Sequence, residues 1–174
     1  MDRQIDFRPL CESDIPTLHE WIRRPHVVEW WGNGSGCSTL DETRSKYLRR
    51  LAHDSHVKPY IAVLSGHAIG FIQSYVAVRC RDGWWEDETD LGVCGIDQFL
   101  ADAENLGQGL GTSMASAFAR RLFQDRRVTR LQTDPSPRNA RAIRCYEKVG
   151  FRAMREVTTP AGIALLMVMD RPAS

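Results

Sequence analysis

A short run of alternating glycines could bind phosphate groups. The run comprises Gly107, Gln108, Gly109, Leu110, Gly111 and Thr112. Glycine lets the backbone turn tightly and approach a ligand, and the first turn of a helix has unpaired N–H donors at the positive end of its dipole. Because a helical pattern follows directly, the run is predicted to bind phosphate oxygens through backbone N–H groups.

The spacing of these glycines separates three kinds of phosphate loop. A dinucleotide-binding loop reads G-x-G-x-x-G, whereas this run reads G-x-G-x-G, and a triphosphate-binding loop needs a lysine before Thr112, which the sequence lacks. The third kind is the pyrophosphate loop of acetyltransferases, with Gln or Arg first, then Gly three residues later and Gly or Ala after one more residue. Gly109 and Gly111 fill its small positions, and Leu106 departs from its first position. A glycine-rich loop without a ligand is the remaining alternative.

The segment from Asn139 to Phe151 has the most specific spacing in the chain. It reads N-x-x-A-x-x-x-Y-x-x-x-G-F, formed by Asn139, Ala142, Tyr146, Gly150 and Phe151. Asn139 is suited to begin a helix, where its side chain can bond to the backbone or to a ligand, and Gly150 is suited to end it. Ala142 and Tyr146 are four residues apart, so they share one helix face.

Both motifs resemble those of the GNAT superfamily of acetyl-CoA-dependent N-acetyltransferases. The resemblance implies that acetyl-CoA lies between a strand ending near Ala101 and the helix that begins at Asn139. It also implies that Tyr146 protonates the departing thiolate, which suits a phenol of pKa about 10 and a thiol of pKa about 8.5. The alternative for Tyr146 is a core tyrosine with one hydrogen bond. Transfer through an acetyl group on Cys145 is disfavoured, because adjacent helix residues point about 100° apart and no histidine is near in sequence.

The distribution of charge and of tryptophan indicates a cationic acceptor. Residues 82–119 contain no lysine or arginine, although the whole chain has a net charge of +1. The pairs Trp30-Trp31 and Trp84-Trp85 lie in or beside glycine-containing loops, where an indole is hard to bury fully. A cleft lined by one sign of charge attracts the opposite charge, and an aromatic face adds about 0.5–2 kcal/mol through a cation–π contact. An aminated sugar fits both features, and a solvated acidic loop is the alternative.

Four further segments resemble the aminoglycoside 6'-N-acetyltransferases within that superfamily. They are Val28 to Gly32, Asp82 to Glu86, Gly95 to Gln98 and Gln132 to Pro137. The resemblance implies an antibiotic site lined by Trp31, Asp82, Trp85, Asp97 and Asp134, with Asp97 as the general base. It further implies direct acetyl transfer from acetyl-CoA to the 6'-amine in a ternary complex, and hence antibiotic resistance. The alternatives are a related enzyme acting on another polycationic amine, such as a polyamine, and a non-catalytic module that binds an acyl-CoA or a drug.

The elements that would position these residues follow from the periodicity of apolar side chains. The predicted strands are residues 4–9, 60–64, 68–78, 93–101, 128–133, 151–157 and 163–169, and the predicted helices are residues 13–23, 39–53, 109–124 and 139–149. Ser13 and a capping box of Thr39 and Glu42 are the expected caps, and Ser65-Gly66-His67 is the expected hairpin turn. This order, which is that of the GNAT fold, predicts an α+β protein in a single domain over residues 1–174. Its mixed central sheet should have about seven strands, flanked by about four helices.

Composition excludes several other classes of protein. The chain has 174 residues, of which 43% are hydrophobic, so it is expected to fold rather than to remain disordered. The net charge of +1 gives no signature of nucleic-acid binding, and no apolar run approaches the roughly 20 residues of a membrane helix. The first six residues lack the layout of a signal peptide, and the five cysteines contain no C-x-x-C pair. We therefore expect a cytoplasmic enzyme, a monomer or weak homodimer, with no metal and with neither nucleic acid nor membrane as a partner.

Overall fold

One mixed β-sheet contains all the strands of the described structure. The computed structural model describes residues 4–32 and 39–173. Its strands are β1 (Ile5–Pro9), β2 (Val57–Leu64), β3 (His67–Val76), β4 (Val93–Leu100), β5 (Arg130–Thr133), β6 (Arg152–Thr159) and β7 (Gly162–Asp170). Its α-helices are α1 (Ile15–Ile22), α2 (Pro25–Val28), α3 (Leu40–Leu51), α4 (Leu110–Leu122) and α5 (Ala140–Val149). The strands are arranged in the order β1-β2-β3-β4-β5-β7-β6, in which β4 and β5 are parallel and the other neighbours are antiparallel.

The predicted α+β architecture is confirmed, with one helix more than expected. Helices α1, α3, α4 and α5 are the four that the sequence predicted, and α2 is a single additional turn. Pro25 begins this turn, because its fixed φ suits the first position of a helix. Four residues are too few to show an apolar period, so the sequence pattern did not reveal α2.

The two expected helix caps have different outcomes. The capping box is confirmed, because Glu42 N–H donates to Oγ1 of Thr39 at 3.2 Å and Thr39 N–H donates to Oε2 of Glu42 at 2.8 Å. The prediction that Ser13 caps α1 is wrong. Instead, Oδ2 of Asp14 accepts a bond from Cys11 N–H at 2.9 Å, and a short 3-10 turn containing Ser13 precedes the helix.

The hairpin between β2 and β3 is closed by a two-residue turn. Ser65 and Gly66 have φ values of 50° and 81°, and positive φ at both positions matches the right-handed twist of the flanking strands. His67, which was expected in the turn, is the first residue of β3 and pairs with Leu64. The tight turn fixes the register of β2 with β3 at this end of the hairpin.

Strands β4 and β5 pair only over the first part of β4. Their parallel register joins Val93 to Arg130, Cys94 to Leu131 and Gly95 to Gln132. β4 then continues to Leu100 and stays paired with β3, whereas β5 ends at Thr133. The described part of the sheet therefore opens between these two neighbouring strands beyond Gly95.

Two buried clusters cover the opposite faces of the sheet. The cluster on the side of α4 and α5 includes Ile96, Met114, Phe118 and Leu131. The cluster on the side of α1 and α3 includes Leu18, Trp21, Tyr47 and Phe71. Burying one such side chain contributes about 1.5–3 kcal/mol, so packing on both faces fixes the helices relative to the opening in the sheet.

Tyr75, Gly95 and Gln132 form a closely packed row where the sheet begins to open. Tyr75 lies opposite Gly95 in the β3–β4 ladder, and Gly95 lies opposite Gln132 in the β4–β5 ladder. The ring of Tyr75 lies across Gly95, so that a Cβ atom at position 95 would be only 1.8 Å from Cζ of the tyrosine. Glycine is therefore required at this position by the ring that covers it.

Helix α5 begins and ends where the sequence predicted. Oδ1 of Asn139 accepts a hydrogen bond from Ala142 N–H at 3.1 Å, and Gly150 ends the helix with a φ of 116°. The side chain of Asn139 and the Arg138 carbonyl, which accepts a bond from Ala140 N–H at 3.0 Å, thus satisfy two N–H groups of the first turn.

Gly95→Ala is expected to destabilise the protein by about 1–3 kcal/mol, because an added carbon in a filled core forces its neighbours to move. Tyr75 has little room to retract, since it is only 8% exposed. Gly111→Ala is the matched control, because a Cβ there meets no atom closer than 3.8 Å, and alanine in a helix is up to about 1 kcal/mol more stable than glycine. Urea denaturation of the two variants compares their free energies of unfolding, and equal values would contradict the close packing at Gly95.

Asn139→Ala is expected to lower the free energy of unfolding by about 1 kcal/mol, because it removes the acceptor that caps α5. Asn139→Asp should keep the stability of the original chain, since aspartate offers the same acceptor at the helix N-terminus. Thermal denaturation without any ligand measures both variants. Equal loss in the two would show that the cap is not the source of the effect.

Candidate active site

Two carboxyl groups flank the opening between β4 and β5. Asp97 lies on β4, two residues beyond the last pair with β5, and Asp134 directly follows the end of β5. Both side chains are half-buried. Burial raises the pKa of both groups, and the negative charge of Asp97 further raises the pKa of Asp134, well above its ordinary value. A positive group bound between them would stabilise both ionised forms.

Asp97 receives a hydrogen bond from its cross-strand neighbour. Gln73 lies directly opposite Asp97 in the β3–β4 ladder, and its Nε2 donates to Oδ2 of Asp97 at 2.8 Å. Nη1 of Arg50 in turn donates to Oε1 of Gln73 at 2.7 Å. The bond from Gln73 and the positive charges of Arg50 and Lys46 lower the pKa of Asp97 and oppose the effect of burial.

The polar residues around Asp97 come from one face of the sheet, where alternate residues of paired strands point the same way, and from α3, which packs on that face. The members that the sequence analysis missed are Lys46, Arg50, Gln73, Tyr75 and Gln132. One signal was present, since Gln73 is a polar residue inside a strand that is otherwise largely apolar and buried. Gln132 is 4% exposed, and its Nε2 has no partner among the described protein atoms. A ligand acceptor or a water molecule could therefore satisfy this buried donor.

Tyr146 lies on α5, behind the end of β5. It is 5% exposed, and its ring packs against Phe151 with the centroids 5.4 Å apart. Thr133, the last residue of β5, is close enough to influence the pKa of the Tyr146 hydroxyl. Burial raises the pKa of Tyr146 above its ordinary value, Thr133 lowers it, and the charges of Asp97 and Asp134 raise it further. The phenol is therefore protonated at neutral pH and can act as a donor.

The glycine run forms a left-handed turn into α4. Gly107 and Gly109 have φ values of 74° and 79°, which favour glycine. Gly109 is the cap of α4, and the first helical bond runs from Ser113 N–H to the Gly109 carbonyl at 3.0 Å. The N–H groups of Leu110, Gly111 and Thr112 thus have no partner within the helix, as anion binding at a helix N-terminus requires. Leu106, the departure from the acetyltransferase pattern, packs against the main core.

Two contacts fix the start of α4 between β4 and α5. Nε2 of Gln98 donates to the Gly111 carbonyl at 3.0 Å, and Oγ1 of Thr112 donates to Sγ of Cys145 at 3.5 Å. Gln108 is exposed, and its side chain turns back to the Glu104 carbonyl. The turn is therefore held by the elements on both sides of the opening.

Ala101, for which the resemblance implied a cofactor role, lies in the protein interior. It is 1% exposed, and its N–H donates to the Ile69 carbonyl at 2.9 Å. Its carbonyl accepts a bond from Nη1 of Arg24 at 2.7 Å. Both of its backbone groups are thus bonded inside the protein, and a contact with acetyl-CoA stays a prediction.

The predicted aromatic residues pack against the strands that border the opening, whereas Asp82 is exposed. Trp31 packs edge-on against Phe99 at 4.8 Å between centroids, and Phe99 is two residues from Asp97 on β4. Trp85 packs against the cluster that contains Tyr75. Both indoles are half-buried, as their loop positions predicted. Asp82 is exposed with a φ of 61°, and the described contacts include no hydrogen bond or ion pair from it to Asp97 or Asp134.

The acidic side chains of residues 82–119, the stretch without lysine or arginine, do not all lie on one surface. Asp90 precedes β4 and accepts bonds from Gly92 N–H at 2.7 Å and from Oγ1 of Thr129 at 2.8 Å. Asp102 follows the other end of β4 and is paired with Arg24. Because a strand separates neighbours on it by about 3.3 Å per residue, these acids stand far apart. Asp97 is the acid of this stretch that reaches the opening in the sheet, where Asp134 joins it from outside the stretch.

The described site can bind a cation, bind an anion and move protons. Carboxylates at the opening attract an ammonium group, and the start of α4 attracts phosphate. The protonated phenol of Tyr146, on α5, can donate a proton. The described residues contain no group of three or more His, Cys, Asp or Glu side chains that could hold a metal ion. Among them, no helix has the length and apolar character needed to cross a bilayer.

Comparison with known proteins identifies the family. A family model described as an acetyltransferase (GNAT) domain matches residues 11–159. An aminoglycoside N(6')-acetyltransferase type 1 from Klebsiella pneumoniae is 52% identical over 169 residues, which cover 97% of this chain and 84% of that protein.

Solved structures agree with the sequence comparison. A structure of AAC(6')-Ib with ribostamycin and coenzyme A has a TM-score of 0.92 and 51% identity, covering 97% of this chain and 94% of that chain. A structure of AAC(6')-Ib with coenzyme A and kanamycin has a TM-score of 0.90 and 50% identity, covering 97% and 95% of the two chains. The chain therefore belongs to the GNAT acetyltransferases, in the family of the aminoglycoside N(6')-acetyltransferases.

Proposed function

We propose that this enzyme transfers the acetyl group of acetyl-CoA directly to the 6'-amine of aminoglycosides and thereby gives resistance to them. The observation that carries the proposal is the position of Asp97, Asp134 and Tyr146 around one opening in the sheet. The two carboxyl groups would bind a cation, and the phenol of Tyr146 would supply a proton at the same opening. The family relatives that are named for the same 6'-acetylation, and those seen with coenzyme A and aminoglycosides, support the proposal.

The glycine turn suits the pyrophosphate of acetyl-CoA. The free N–H groups of Leu110, Gly111 and Thr112 can donate to its oxygens, with the positive end of the α4 dipole behind them. Gly107, Gln108 and Gly109 are exposed, so the ligand can approach the turn. Asn139 contributes by holding the start of α5, since its side chain already caps that helix.

The carboxylates suit an acceptor with several ammonium groups. Burial raises the pKa of Asp97 and of Asp134, and a bound cation would favour the ionised form of both carboxyl groups. Trp31 and Trp85 offer half-buried aromatic faces packed against the strands that border the opening. In this proposal they contact the sugar rings, and exposed Asp82 attracts a more distant ammonium group.

The chemistry requires one exchange of bonds and the loss of two protons from the acceptor nitrogen. Asp97 accepts the first proton from the ammonium form of the acceptor, directly or through water, so that the nitrogen lone pair becomes free. That nitrogen forms a bond to the thioester carbon while the carbon–sulfur bond breaks, and the acetylated nitrogen then releases its second proton to water. Tyr146 donates its proton to the departing sulfur and is reprotonated from water. Holding the two substrates together supplies a large part of the rate, as expected for positioned reactants.

The purified chain is expected to release free CoA when it is given acetyl-CoA with kanamycin or ribostamycin. Thiol detection measures the turnover, and mass spectrometry of the product measures the addition of one acetyl group. Spermidine tests the other candidate acceptor, because a polyamine carries similar charges without sugar rings. Turnover of spermidine together with failure on both antibiotics would replace aminoglycosides by polyamines as the substrates.

Asp97→Asn and Tyr146→Phe are each expected to lower kcat by at least about tenfold, because each removes a group that exchanges a proton during the reaction. Asp54→Asn and Tyr60→Phe are the matched controls. Asp54 is exposed, and Tyr60 packs on Phe118 at the far side of the sheet. Steady-state kinetics with kanamycin compares all four variants. Full activity of Asp97→Asn would remove Asp97 as the base, and a chain with no turnover at all would favour a binding module.

A further inference from the structure

Two successive hydrogen bonds join the last turn of α3 to Asp97. Arg50 donates to Oε1 of Gln73 at 2.7 Å, and Nε2 of Gln73 donates to Oδ2 of Asp97 at 2.8 Å. Gln73 is 5% exposed, so water has little access to its amide. We propose that Arg50 is a positioning residue, which holds the Gln73 amide in the one orientation that presents N–H to the carboxylate of Asp97. The inference rests on the proposed role of Asp97 as general base.

The chemistry of the three groups allows only this orientation. An amide has a donor end and an acceptor end of nearly the same shape, and its neighbours decide which way it points. A guanidinium can only donate, so the oxygen of Gln73 must face Arg50. The reversed amide would place two donors together at Arg50 and two acceptors together at Asp97. Without Arg50, one of these two conflicts disappears, and a protonated Asp97 could donate to the reversed amide.

Arg50 is itself fixed by the core. Its guanidinium lies over the ring of Tyr47, with Cζ 5.2 Å from the ring centroid. Tyr47 is 1% exposed and packs edge-on against Phe71 at 5.7 Å between centroids. Phe71 is on β3, two residues before Gln73, so the same packing that places α3 on the sheet also aims Arg50 at the amide.

Several charged or titratable groups influence the ionisation of Asp97 from the surrounding elements. They are Lys46, Tyr47 and Arg50 on α3, Tyr75 on β3, Cys80 after β3, Asp134 after β5 and Tyr146 on α5. Lys46 has a pKa lowered to about 8 by partial burial and by Arg50, although its side chain still reaches solvent. Arg50 therefore supplies the most persistent positive charge near Asp97 at neutral and alkaline pH.

Loss of Arg50 is expected to shift the pH dependence of activity toward higher pH. The Gln73 bond and the Arg50 charge lower the pKa of Asp97, so removing Arg50 should raise that pKa. A base works only when it is ionised, so the rise in activity on the acid side would move to higher pH. Each unit of movement costs about tenfold in activity at a pH below the pKa, and the loss should disappear at alkaline pH.

The test is the ratio of kcat/KM for Arg50→Met to kcat/KM for the original chain, measured with kanamycin at each pH from 5.5 to about 9.5. The ratio cancels the titration of the substrate amine. We expect a ratio near one tenth at the acid end that returns toward one at the alkaline end. KM for acetyl-CoA should stay the same. A ratio of one at every pH, or a constant loss at every pH, would overturn the inference.

Three further variants separate positioning from a general effect on charge or folding. Arg49→Met removes the same charge from the neighbouring residue on α3, whose side chain is exposed, and should leave the pH profile unchanged. Arg50→Lys keeps a donor and a positive charge and should recover most of the activity. Gln73→Glu keeps an acceptor for Arg50 but has no N–H for Asp97, so it should shift the profile as Arg50→Met does. It also provides the test if Arg50→Met does not fold.

Asp97→Asn distinguishes a failure of this inference from a failure of the proposed function. If Asp97→Asn is nearly inactive, adding Arg50→Met should cause no further pH-dependent loss, because the group that Arg50 serves is gone. If Asp97→Asn is nearly inactive but Arg50→Met behaves as the original chain, only the inference about Arg50 is overturned. If Asp97→Asn is fully active, the proposed base is wrong, and the inference falls with it.

Discussion

The parting of β4 from β5 is the constraint on which the site depends. β4 keeps its partner β3 along its whole length, but its ladder with β5 stops at Gly95. Backbone groups beyond that point face a gap rather than a neighbouring strand, and buried backbone groups require a partner. A ligand can supply that partner at this place. Asp97, Asp134 and Tyr146 are near one another because each lies on an element that borders the gap.

Two half-buried carboxyl groups determine the electrostatics of this gap. Burial of two carboxyl groups in one place disfavours their ionised forms, and the charge of Asp97 further raises the pKa of Asp134. The protein moderates the effect on Asp97 through Gln73 and Arg50, whereas Asp134 receives no comparable support in the described contacts. The negative charge of these carboxyl groups is thus incompletely neutralised in the free site, and this charge favours a polycation over a neutral sugar. In the proposed function, affinity for the acceptor and proton transfer from it would both depend on these carboxyl groups.

The sequence predicted the order of the elements well, because apolar periodicity and turn residues are local properties. It also located the glycine turn and the α5 motif, where spacing along one helix determines which residues share a face. It could not place Arg50 or Gln73 beside Asp97, since their approach depends on the register of β3 with β4 and on the packing of Tyr47 against Phe71. For the same reason, the sequence did not show that the acidic side chains of residues 82–119 lie on different surfaces. Asp90 and Asp102 are close in sequence, but β4 separates them in the structure.

The ring of Tyr75 over Gly95 has a consequence for the evolution of this enzyme. The row of Tyr75, Gly95 and Gln132 is interlocked across three strands, so a substitution there disturbs the sheet first. The loop with Asp82 and Trp85 and the segment with Trp31 lie outside the strands, so they tolerate exchange more readily. New antibiotics should therefore select changes at the rim of the site. Divergent members of this lineage would then share the same inner row while differing in the drugs that they inactivate.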